Sequence, residues 1–104
     1  MTVYVKAGQC NQEVVIQIKR KTESTCDVVV ETTCEYIKKL VEELKDIKVG
    51  EEVTLPLCDT KVYKTASKYV CRTSCVVPCA ILKAIEQEFK IFEQKNVSIE
   101  FLNL

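Results

Sequence analysis

The chain has 104 residues, with 15 Lys+Arg balanced by 15 Asp+Glu and with neither His nor Trp. Zero formal charge gives no general attraction to nucleic acid or anionic lipid, and no apolar run approaches the ~18 residues of a bilayer span. Without His, serine–histidine and cysteine–histidine nucleophile pairs and histidine-ligated metals are excluded, which leaves seven cysteines as the chemical feature of the sequence. A composition 47% hydrophobic and 29% charged predicts one globular domain over residues 1–104.

The first segments have period two. Residues 2–7 alternate, with Val3, Val5 and Ala7 on one side, and Gly8-Gln9-Cys10-Asn11 reads as a turn. Residues 13–19 alternate again, Val14, Ile16 and Ile18 sharing a face. A polar connection follows, and residues 26–31 form a third strand with Cys26, Val28 and Val30 together. Three strands with short links predict an antiparallel meander with one wet face.

The period then becomes helical. Thr32-Thr33-Cys34-Glu35 matches a capping box with Thr32 as N-cap, and Ile37, Leu40, Val41 and Leu44 carry an apolar stripe to about Asp46. Gly50 is expected to end the helical region. Residues 48–63 read as an extended loop around Pro56, with a short edge strand near Val53–Leu55. Residues 65–72 read as a short helix. Pro78 opens a final helix whose stripe is Ile81, Leu82, Ile85, Phe89 and Phe92. Residues 97–101 alternate as a last strand. The order β-β-β-α-(α)-α-β predicts an α+β two-layer sandwich, with helices on one face of a mainly antiparallel sheet.

The N-terminus lacks the charged start and apolar block of a signal peptide, so a cytoplasmic location is expected. Thiols there stay reduced, and seven cannot all pair, so a disulfide framework is not expected. Cys26 alternates with core valines, Cys58 lies in the Pro56 loop, and Cys71 reads as core of the short helix. The remaining four fall at element ends. Cys34 and Cys79 are predicted at the second position of their helices, where exposed N–H groups and the dipole favour a thiolate. Cys75 immediately precedes the last helix, and Cys10 lies in the first turn. Cys71, Cys75 and Cys79 are spaced C-x3-C-x3-C, which is neither a zinc knuckle nor a ferredoxin run. No phosphate-binding glycine loop and no nucleophile elbow is present.

The segments Ser74-Cys75-Val76-Val77-Pro78, Ile81 to Glu86 and Asn96 to Glu100 resemble an uncharacterised family of small proteins, carrying a domain of unknown function, from methanogens and other anaerobes. The resemblance extends to an early Cys (Cys10), a Cys at the start of the first helix (Cys34) and a Cys-x-Val-Pro element (Cys75 to Pro78). A glycine–aromatic pair after the early Cys is replaced here by Asn11-Gln12. The resemblance implies no activity; it singles out Cys10, Cys34 and Cys75.

Three readings follow. The first is an all-thiolate zinc or iron–sulfur site on Cys10, Cys34, Cys75 and Cys79, in a protein read as non-enzymatic. The second is thiol–disulfide or sulfur-transfer chemistry, with Cys79 or Cys34 attacking and Cys75 resolving. The third is an interaction module, as a homodimer or with another protein.

Overall fold

A computed structural model describes residues 1–103, for Gln9 the backbone alone. The three period-two segments form strands β1 (Thr2–Lys6), β2 (Glu13–Arg20) and β3 (Thr25–Thr32), joined as the predicted antiparallel meander. Alternation fixes the faces. Val5, Val14, Ile16, Ile18, Cys26 and Val28 are buried, whereas Tyr4, Gln17 and Glu31 stand on the open face. The β1–β2 connection needs two left-handed residues. Gly8 takes φ 78°, and Asn11 takes φ 56° while its N–H donates to the Gly8 carbonyl at 2.9 Å.

Helix α1 (Glu35–Glu42) buries Ile37, Leu40 and Val41 against β3. It starts two residues later than the capping box predicts. The Thr32 hydroxyl accepts from the Cys34 N–H at 3.2 Å, a local turn that competes with capping, and Cys34 itself becomes the N-cap. The helix also ends before Asp46. The chain turns back at Leu44, which is fully buried and whose carbonyl accepts from Val28 N–H at 3.0 Å.

Residues 47–60 correct the sequence reading. A two-residue strand β4 (Ile47–Lys48) pairs with Thr25 and Cys26 at the sheet edge, in the order β1-β2-β3-β4. Helix α2 (Val49–Thr54) stands where the extended loop and edge strand at Val53–Leu55 were expected, and Gly50 lies inside it. Its buried members are Val49 and Glu52, so tertiary contact overrides the weak helix propensity of Val-Gly-Val-Thr. Leu55, extended before Pro56, ends it.

Helix α3 (Lys61–Tyr69) begins four residues before the predicted short helix because it is capped twice. Thr60 Oγ1 accepts from Tyr63 N–H at 3.1 Å, and the buried Glu52 carboxylate accepts from Lys61 N–H at 2.7 Å and Val62 N–H at 3.3 Å. Helix α4 (Val77–Glu88) has Pro78 in its first turn and buries Val77, Ile81, Ala84 and Ile85 over β1 and β2. All four helices follow the β1–β3 meander in sequence, and α1 and α4 pack on the sheet's buried face, as an α+β two-layer sandwich requires.

Residues 97–101 form no strand among the described residues. They are uncovered, Ile99 being 71% and Phe101 92% exposed. Alternation alone does not make a strand; it needs a free edge within reach. Among the described residues no helix is long and apolar enough to cross a membrane.

Candidate functional site: a cysteine-bearing pole

The sheet register defines two poles. Lys6 pairs with Glu13 and Val14 with Thr32, so the β1–β2 turn and the end of β3 lie together. Side chains confirm the approach: the Thr33 hydroxyl donates to Gln12 Oε1 and the Thr32 hydroxyl to the Glu13 carbonyl, both at 2.8 Å. Cys10 closes that turn and Cys34 follows β3, so both belong to this pole.

Helix α4 brings the third segment. Its last residue is held at the opposite pole, where Arg20 donates to the Glu88 carbonyl at 2.8 Å and the Met1 ammonium pairs with the Glu88 carboxylate. Twelve helical residues rise about 18 Å, and a five-residue strand spans about 17 Å. The helix therefore returns along β1 and places its N-terminus, with Cys75 just ahead of it, at the pole of Cys10 and Cys34.

Cys34 and Cys75 are half-buried and pack against the hydrophobic core, whereas Cys10 is exposed. Cys10 Sγ lies 3.8 Å from the Ala7 carbonyl. Burial pushes the Cys75 thiol up; the Val77 N–H, the first of α4, opposes this by hydrogen-bonding the thiolate. Charge on Cys10, Cys34 and Cys71 pushes it further up. The helix N-terminus thus serves Cys75. Cys79 is exposed in the first turn of α4, at its third rather than second residue, and it stands with Cys75 near Tyr63, whose hydroxyl burial and these two charges push up.

The other cysteines divide. Cys26 is fully buried at the far pole, its thiol pushed up to about 11, first by burial and then by Asp27. Cys58 is exposed beside Asp59. Cys71, expected in a helical core, is exposed in the link after α3, because α3 closes at Val70 N–H to the Ala66 carbonyl. Sequence periodicity missed it; its C-x3-C spacing from Cys75 was the available signal.

Among the described residues, no three Cys, Asp or Glu side chains stand close enough together to hold a metal ion. Two shallow surface depressions, one lined by Met1, Glu88 and Phe92 and one by Val15, Gln17 and Val29, include no cysteine. No curated protein and no solved structure matches the chain. A family model matches nearly all of it, residues 1–101, and the chain belongs to that family, described as a family of unknown function (DUF6951).

Proposed function

We propose that this pole holds an iron–sulfur cluster on the thiolates of Cys10, Cys34 and Cys75, with a fourth thiolate from the segment that carries Cys71 and Cys79. The observation that carries the reading is geometric: the sheet register and the direction of α4 support a common pole for the β1–β2 turn, the start of α1 and the α3–α4 link. An all-sulfur donor set suits iron–sulfur clusters or zinc and needs no His.

Spacing favours the cluster. Sulfurs on one zinc lie ~2.3 Å from the ion and so about 4 Å from one another. No trio among the described residues meets that demand. A cluster spreads its ligands over several irons and accepts the wider set. Such a group supplies one-electron chemistry, tuned by hydrogen bonds to its sulfurs. The Val77 N–H to Cys75 is one such bond.

Thiol–disulfide exchange finds less support. In that reading Cys75 is the resolving thiol, and burial pushes it up, which leaves less thiolate to attack a mixed disulfide.

Anaerobic reconstitution with ferrous iron and sulfide tests the reading. Stoichiometric iron and acid-labile sulfide, with visible absorbance that bleaches on reduction, are expected. Zinc without sulfide, or no bound metal, overturns it.

A further inference from the structure

The outer edge of the sheet and the last residues of the chain are complementary. Strand β1 ends the order β1-β2-β3-β4, and among the described residues no strand pairs with its outer side. The ladder decides which groups that side offers. Ile18 N–H donates to the Met1 carbonyl and Ala7 N–H to the Gln12 carbonyl, both at 3.0 Å, so the odd-numbered residues of β1 bond to β2. The N–H and C=O groups of Thr2, Tyr4 and Lys6 therefore point outward, a row that an added strand can take up. Residues 97–101 have the pattern of such a strand and the length of β1. Val97, Ile99 and Phe101 are exposed and alternate with Ser98 and Glu100.

We propose that residues 97–101 of each chain pair with the β1 edge of a second copy, so that two molecules exchange C-terminal arms about a two-fold axis. Direction selects the second copy. The arm starts at the Met1 end of the sheet, where Phe92 and Gln94 line one depression with Met1. Laid on its own edge it would run parallel to β1, the weaker pairing, and its apolar side chains are exposed rather than seated there. When a second copy brings its β1 alongside, the two-fold axis reverses that direction. Each arm then runs antiparallel to the other copy's β1, and one symmetry operation closes both exchanges.

The side chains and the area agree. With Val97, Ile99 and Phe101 continuing the face of Val3 and Val5, Ser98 and Glu100 fall beside Thr2, Tyr4 and Lys6, and Glu100 meets the opposite charge of Lys6. The three apolar side chains expose about 400 Å² per arm, and two arms with the surfaces they cover reach about 1,600 Å², the size of a stable interface.

Sedimentation velocity of the reduced, full chain over a dilution series tests this. The wild type is expected to be a dimer that dissociates on dilution. A chain ended after Asn96, and Ile99→Asp, are expected to stay monomeric where the wild type is dimeric. Tyr4→Pro removes an outward N–H that β2 does not use and is expected to weaken the dimer about tenfold. A wild type monomeric throughout, a dimer that survives loss of the arm, or a folded Tyr4→Pro that dimerises like wild type overturns the proposal.

An isotope experiment reads the pairing directly, whether or not Tyr4→Pro folds. Light and heavy-nitrogen chains are mixed dilute, concentrated together and treated with a carbodiimide, which joins Lys6 to Glu100. Peptide mass spectrometry is expected to show light–heavy pairs. Only light–light and heavy–heavy pairs would seat the arm on its own β1; that result, or no such link at all, overturns the exchange.

Discussion

Glu52 tests how the helical layer is held. Its side chain is buried in α2, and its two carboxylate oxygens take the first two N–H groups of α3 at 2.7 and 3.3 Å. In Glu52→Ala both donors lose their acceptor at a site that water barely reaches. A hydrogen bond to a charged acceptor contributes about 1.5–3 kcal/mol; the longer contact is worth less, about 0.5–1 kcal/mol. The sum is a loss of about 2–4 kcal/mol from a chain whose total stability is of order 5–15 kcal/mol. At roughly 4–8 °C per kcal/mol for a domain near this size, the melting midpoint drops by about 8–32 °C. Far-UV circular dichroism during thermal and urea unfolding measures it. Glu52→Gln retains an acceptor oxygen for one N–H and falls between wild type and Ala. A Glu52→Ala protein within about 0.5 kcal/mol of wild type would refute the claim that this carboxylate caps α3.

Ile81→Ala, at a fully buried position of α4, is expected to cost about 2–5 kcal/mol by urea unfolding. A cost below 1 kcal/mol would show that α4 does not pack on the sheet as described. Cys26 stays protonated in the folded chain up to about 11, whereas in unfolded chain it ionises near its ordinary 9.0. Its contribution is therefore fully present below pH 9 and is lost as pH rises through about 11. The urea midpoint should fall over that window more steeply for wild type than for Cys26→Ala; parallel curves would contradict this. Ending the chain after Asn96 removes, among the described residues, only exposed side chains, so the melt of the dilute, monomeric chain should change by less than about 0.5 kcal/mol. A larger loss would mean that this segment is covered within its own chain.

The strands and the stripes of α1 and α4 were legible because each rests on local periodicity against one common core. Val14, Ile16 and Ile18 announce their face within seven residues. What was not legible depends on partners distant in sequence. Helix α2 exists because Val49 and Glu52 have a core and a helix end to meet, which nothing in Val-Gly-Glu-Glu-Val-Thr reveals. The alternation of Val97, Ile99 and Phe101 meets no strand edge. At the candidate site, Cys10, Cys34 and Cys75 were readable as element ends, but their common pole follows from register and from the direction of α4.

The chain leaves α4 at the pole of Met1 and Glu88, away from Cys10, Cys34 and Cys75. A tether attached beyond Asn96 would use residues 97–103 as a ready spacer and keep the sulfur-bearing end turned outward. Anchored to an electrode in this way, the molecule would present that end to a diffusing redox mediator rather than to the support.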